Sequence, residues 1–251
     1  MNGQTAIRSF FASDVGRKRA KNQDNGLSLP AHGLCLVADG MGGHKGGETA
    51  SRLVAETFAE FFPSASGRLH ERLQATLHAA HTRIYELSQR EEALQGMGTT
   101  STCLAVNSTE RPTEAALVHV GDSRCYLIRR DAIWQLTRDH SLVQEKVRAG
   151  LIRRDQAKQD LMRNVITRSV GFEPQVQMDT YILPVAPGDW FLLCSDGLTG
   201  QVEDLKLLEV TSRHREEADL EACARELIGL ANAGGGDDNI SVGILSVESI
   251  D

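Results

Sequence analysis

No stretch of this chain approaches the roughly eighteen apolar residues a membrane-spanning helix needs, so membrane insertion is not expected. The N-terminus, MNGQTAIRSFFASDVG, lacks a basic region followed by an apolar run of about seven residues, so no secretory signal is visible and a cytoplasmic location is expected. Cysteine is sparse and unpatterned. The five residues, Cys35, Cys103, Cys125, Cys194 and Cys223, are odd in number and include no C-x-x-C pair. Four lie in apolar strand-like runs, where a reduced thiol packs as a small hydrophobe. No clustering of Cys and His has zinc spacing. Basic charge is also in deficit, and a net charge of −7 argues against general nucleic-acid binding. The chain has no internal repeat and no low-complexity linker, and its 251 residues, 41% hydrophobic and 24% charged, suit one soluble domain over 1–251.

What is present is a rhythm of short strands with longer amphipathic helices. Helices are expected over 47–62 and 70–94, the second placing Leu73, Leu77, Ala80, Ile84 and Leu87 on one face, with Gly96 and Gly98 stopping it. Strand-like runs follow from 99, 115, 124 and 133, joined by short turn-prone links that suit antiparallel hairpins. The charged, weakly apolar stretch 141–165 is expected to stand outside the sheets as a mobile flap over a site. Strands resume at QMDTYIL and WFLLC, helices at 203–211 and 216–231, and a last strand at ISVGIL. Strands in two groups, each followed by helices, predict an α+β layered sandwich rather than a doubly wound parallel sheet.

Four aspartates end apolar runs across nearly the whole length: Asp39 in CLVADGMGGH, Asp122 in LVHVGDSR, Asp196 in FLLCSDGL and Asp238 in GGGDDNISVGIL. Asp-Gly after a strand is commonly only a turn. Delivered to one sheet edge, however, these carboxylates make a cage for a hard divalent ion, Mg²⁺ or Mn²⁺, and Gly40 lets its carbonyl approach such an ion closely. Two such ions about 3.5–4 Å apart would bridge a water and make a hydroxide nucleophile for attack on phosphorus. The glycine-rich stretch from Gly40 is no nucleotide loop: Lys45 is followed by Gly46 rather than Ser or Thr, and G-x-G-x-x-G fails at Lys45. It does place His44 five residues after Asp39, where it can protonate a leaving oxygen. Within the basic cluster of Arg17, Lys18, Arg19 and Lys21, Arg19 is the candidate to grip a phosphoryl group with its guanidinium fork. Asp24, in KNQDN, is either ordinary turn composition or a group that orients a metal-bound water.

Taken together, RKRAKNQDN from 17, VADGMGGHKGGETAS from 37, MGTTSTC from 97, HVGDSRCYLIR from 119, LTRDHS from 136, RNVITRSVG from 163, LLCSDGL from 192 and GGDDNISV from 235 resemble the metal-dependent Ser/Thr protein phosphatases of type 2C, in their compact bacterial form. The resemblance implies a four-layer sandwich of two antiparallel sheets flanked by helices, with two Mn²⁺ or Mg²⁺ ions at one end and often a third. On it, Asp39 is the bridging ligand and the Gly40 carbonyl a ligand of one ion. Asp196 and Asp238 complete the core, and Asp122 with Asp196 forms the third-metal site. Arg19 binds phosphate and His44 is the general acid.

Hydrolysis of phosphoserine and phosphothreonine is then expected, with kinases and their phosphorylated substrates as partners of a monomeric protein. Two features depart from the family. Asp237 adds a carboxylate beside Asp238, either altering metal affinity or facing solvent, and Asp160 and Leu161 stand in the flap where bacterial members often carry His-Pro. A catalytically silent binding module is the competing class, but such a chain is expected to have lost a core aspartate, and this one retains all of them.

Overall fold

In a computed structural model, described for residues 5–107, 113–157 and 159–249, two antiparallel sheets lie face to face between helices. One sheet has the strand order β1 (Thr5–Asp14), β11 (Ile240–Ser249), β10 (Trp190–Cys194), β7 (Arg124–Arg129), β8 (Ala132–Gln135). The other runs β2 (Asp24–Leu29), β3 (Leu34–Met41), β5 (Ser101–Val106), β6 (Glu114–Val120), β9 (Asp179–Pro184), with the two-residue β4 (Gly98–Thr99) pairing the end of β3. Helices α1 (Gly43–Phe61) and α2 (Leu69–Arg90) cover the second sheet. Helices α6 (Asp204–Glu217) and α7 (Leu220–Ala233) cover the first.

Side-chain alternation along β3 explains the layering. Leu34, Leu36 and Ala38 face α1 and α2, whereas Cys35 and Val37 face the other sheet. Both faces are apolar because both are covered, which is why the central strands read as continuous hydrophobic runs rather than alternating ones. Between the sheets Cys35, Val37, Leu104 and Leu117 meet Leu127, Phe191, Leu193 and Leu245. All five cysteines are free and buried.

Three elements depart from expectation. The link after β6 is no hairpin: Gly121, at φ +109°, and Asp122 carry the chain from one sheet to the other, so Asp122 lands at their shared end. Helix α6 runs without a break to Glu217, where left-handed Ala218 ends it and the Asp219 side chain caps α7. The ten-residue β1 gave no clear period in sequence; it is an edge strand whose identity comes from pairing β11, Thr5 opposite Ser249 through Asp14 opposite Ile240.

Between β8 and β9 the chain leaves the sheets. It forms α3 (Leu142–Arg148), the short α4 (Arg154–Ala157) and irregular backbone, and bridges back through Ser141 to Ile166 and through Val170 to Thr99. Asp160 accepts both a Lys146 Nζ contact at 2.8 Å and the Met162 N–H, so it braces this segment internally, while Leu161 is 99% exposed. No helix among the described residues is long and apolar enough to cross a membrane.

The helical layer over the second sheet rests on Phe58, fully buried and stacked on Phe62 at 6.1 Å. Phe58→Ala is expected to cost about 3–5 kcal/mol, read from the midpoint shift in denaturant unfolding.

Candidate functional site

At one end of the sandwich a cavity of about 590 Å³ opens between the sheets, and its wall includes Arg19, Asp39, Gly40, Asp122, Asp196 and Asp238, together with Asn164, Ile166 and Asn239. Six of the eight residues singled out in the sequence therefore meet in one place. Asp24 lies beneath them, only 5% exposed and directly opposite Asp39 in the β2–β3 ladder. His44 falls in the first turn of α1, just past the cleft-lining Gly40–Gly42 stretch, and its side chain lies outside the described residues.

Each acid is delivered by a strand end and fixed by local hydrogen bonds. Asp39 closes the apolar part of β3. Its N–H donates to Thr100 Oγ1 at 2.9 Å, and its carbonyl accepts from Thr99 Oγ1 and Thr100 N, both at 2.8 Å. Thr100 Oγ1 also meets Ser123 Oγ at 2.7 Å, tying Asp39 to the Asp122 turn. Asp196 follows β10 and begins α5 (Asp196–Thr199). Gly197 must lack a side chain, because a Cβ there would fall 2.0 Å from the Asn239 carbonyl oxygen; this close approach brings the Asp196 and Asp238 loops together. Gly40 is equally constrained, with a Cβ falling 2.1 Å from the Gly47 carbonyl oxygen.

Electrostatics makes the arrangement unfavourable for the protein alone. Burial, then the charges of Asp24, Asp196, Asp122 and Asp238, push Asp39 well above the carboxylate range. Burial and then Asp196 do the same to Asp122, while burial raises Asp196 to about 6 with Asp238 adding to it. Asp24 is raised to about 7, again chiefly by burial. The Ser195 and Ser241 hydroxyls beside Asp24 oppose this rise, yet they are committed as donors to the Asn239 carbonyl and the Ser13 hydroxyl. Both Asp24 carboxylate oxygens and Asp196 Oδ1 are buried without a hydrogen-bond partner.

Orphaned buried oxygens and mutually repelling acids fit divalent cations. Among the described residues no three acidic, His or Cys side chains already close on one point as a ready ion cage. Arg19 Nη2 donates to Asp238 Oδ2 at 2.7 Å, which brings a guanidinium against the acids of the cleft.

Asp237 stays outside the cleft. Half-exposed, it pairs with Lys18 at 2.5 Å and accepts from Gln201 Nε2, so of the two alternatives left by the sequence the structure takes the solvent-facing one. Sequence reasoning assigned no role to Thr99, Thr100, Ser123 or Asn239. All four stood inside the motifs MGTTSTC, HVGDSR and GGDDN, but short polar residues near a turn carry no signal of what they bond to across the fold.

Known proteins agree with this geometry. The protein phosphatase 2C family profile matches residues 16–226, and the chain belongs to that family. It is 35% identical to the serine/threonine phosphatase stp of Listeria innocua, over 94% of each chain. Against protein phosphatase PhpP of Streptococcus pneumoniae it is 33% identical, covering 95% of this chain and 97% of the relative. The Mycobacterium tuberculosis serine/threonine phosphatase PstP/Ppp superposes with a TM-score of 0.87 at 35% identity, over 96% of this chain and 99% of that one. A structure of the PstP catalytic domain with two manganese ions gives 0.86 at 34% identity, over 97% and 99%. By that membership the chain is an enzyme of the phosphatase class.

Because the folded-state pKa of Asp24 is raised, the metal-free native state binds its proton more tightly than the unfolded chain does. Stability from this group is present at low pH and is lost as pH rises from about 4 through 7. Asp24→Asn is therefore expected to stabilise the metal-free protein by a few kcal/mol (~1 to 4) at pH 8, the gain fading as pH falls towards 4; thermal melts in EDTA across this range measure it.

Proposed function

We propose that this chain hydrolyses phosphoserine and phosphothreonine in proteins, with the cleft at the shared end of the two sheets as its active site. The observation that carries the reading is the convergence of mutually repelling carboxylates, largely withdrawn from solvent, beside the Arg19 guanidinium. Asp39, Asp196 and Asp238, with the Gly40 carbonyl, are the proposed holders of two Mn²⁺ or Mg²⁺ ions, and Asp122 with Asp196 of a third. When bound, such ions supply Lewis acidity, neutralising the carboxylates and lowering the pKa of water towards neutrality.

The protein's own groups then position and protonate. Arg19 is half-exposed at the cleft wall and uses one terminal nitrogen on Asp238, leaving further guanidinium donors for phosphoryl oxygens. His44 is proposed to hand a proton to the leaving serine or threonine oxygen. Asp24, buried opposite Asp39, is proposed to orient the attacking water from beneath the site. The 141–165 segment acts as a flap, with Asn164 inside it and Ile166 just beyond it in the cleft wall. One domain of 1–251 carries all of these parts. The expected partners are Ser/Thr kinases and their phosphorylated substrates, met by a monomer in the cytoplasm; PhpP and PstP are named protein phosphatases in other bacteria.

Phosphate release from a phosphothreonine peptide tests the reading. Activity is expected with Mn²⁺ or Mg²⁺, none with EDTA, and losses of about 10²-fold or more in Asp39→Asn and Asp238→Asn. A well-folded, metal-loaded protein that releases no phosphate would instead be the silent binding module. Arg19→Ala is expected to raise KM for the peptide about tenfold with a smaller change in kcat, from steady-state kinetics.

A further inference from the structure

Arg19 sits in the middle of an irregular loop, Val15–Gln23, that joins β1 to β2 and has no regular backbone ladder to hold it. One side chain closes that loop at both ends. The Asn239 amide, 5% exposed, donates from Nδ2 to the carbonyls of Val15 and Lys21, each at 2.9 Å, and accepts the Gln23 N–H on Oδ1 at 2.8 Å. Three of its four hydrogen-bonding positions are thus spent on a single loop 216 to 224 residues away in sequence. The Asn239 backbone N–H donates at the same time to Asp238 Oδ1, at 2.8 Å, while the other oxygen of that carboxylate receives Arg19. One residue therefore fixes both the base of the loop carrying the guanidinium and the acid that the guanidinium touches.

We infer that Asn239 is a positioning residue for the substrate phosphoryl group: it holds Arg19 at the distance and angle at which its fork meets phosphate oxygens. The inference rests on the reading of Arg19 as the phosphate-gripping group. Other anchors of the loop confirm the division of labour. Arg17 N and Lys18 N both donate to the Gly236 carbonyl, and Asp14 Oδ1 accepts from Gly16 N, so the N-terminal half has support of its own. Residues 19–23, which run from the guanidinium to β2, are held by Asn239 through Lys21 and Gln23, and by Gln23 to the Gly40 N–H and the Ser51 hydroxyl. The Asn22 amide adds one bond, to the Ser13 hydroxyl at 2.7 Å, but losing the Asn239 amide removes the anchors at the Lys21 carbonyl and the Gln23 N–H and loosens the stretch between Lys18 and Asn22, where Arg19 lies. A charge-assisted fork loses strength steeply when its geometry is relaxed.

A double-mutant cycle on the full chain with Mn²⁺ separates this role from general stability. KM and kcat for a phosphothreonine peptide, and the inhibition constant of inorganic phosphate, are measured for wild type, Arg19→Ala, Asn239→Ala and the double variant, each checked by thermal melt. Asn239→Ala is expected to raise KM and the phosphate inhibition constant about tenfold. In the Arg19→Ala background the same change should add less than about twofold, because the group it positions is already gone. Equal losses in both backgrounds, or a fall in kcat with phosphate inhibition unchanged, overturn the inference. If Arg19→Ala by itself leaves KM and phosphate inhibition unaltered, the assignment of Arg19 fails first, and the role of Asn239 with it. Should Asn239→Ala not fold, Asn239→Asp takes its place in the cycle, since it keeps the acceptor for Gln23 and loses both donors.

Discussion

Repulsion among carboxylates at one end of the sandwich is the interaction around which the rest of this structure is arranged. Asp24 and Asp122 are buried and Asp39 and Asp196 partly so, all four raised by desolvation and by neighbouring carboxylate charge, and Asp238 adds to the field from the rim. A protein that only needed to fold would place apolar side chains there. The fold instead holds the acids against their own electrostatics, with three orphaned oxygens, and concentrates negative potential where divalent cations and a phosphoryl group must meet. Two sheets covered on their outer faces by helices supply the stiffness for this, because the strands that end in aspartate are packed on both sides and cannot relax apart.

Hydroxyls and amides turn that crowding into a defined geometry. Thr99, Thr100 and Ser123 stitch the Asp39 strand end to the Asp122 turn, and so one sheet to the link that crosses to the other. Gly40 and Gly197 let backbones approach to distances that no side chain permits. On the rim, Asn239 carries the N-terminal loop, and Lys18 with Asp237 and Arg19 with Asp238 add ion pairs that solvent weakens. Both sides of this rim exist only after β1 has paired β11, the first strand with the last. Closing so long a loop costs entropy that the β1–β11 ladder and the contacts of the rim must offset.

Family membership and geometry answer different questions about this chain. The matches to phosphatases from Listeria, Streptococcus and Mycobacterium give the class of chemistry. They leave open how this chain uses its own departures. Asp237 is a surface ion-pair partner of Lys18, and Asp160 braces its own segment through Lys146, so neither of the two unusual acids enters the cleft. Exposed Leu161 leaves an apolar side chain on the surface of the segment proposed as the flap.

Much of this protein was legible from its residues in order. Aspartates at the ends of apolar runs, the glycines after them and the arginine before Asp24 are local patterns that can be read without knowledge of the packing. The apolar face of α2 was readable for the same reason, since its periodicity is imposed by one neighbouring surface. Other features had no local trace. Whether the Gly121–Asp122 turn closes a hairpin or crosses between sheets depends on which strand β6 and β7 each find, and β1 is a strand because β11 lies beside it. Asn239 reads as turn composition until Val15, Lys21 and Gln23 are brought to it from more than two hundred residues away. Sequence by itself determined which chemistry the chain can offer, because side-chain type and strand-end position are local. Only the tertiary structure decided which of those groups share a cleft, which acids remain outside it and which amide holds the arginine in place, because hydrogen bonds and charge repulsion act through space, without regard to separation along the chain.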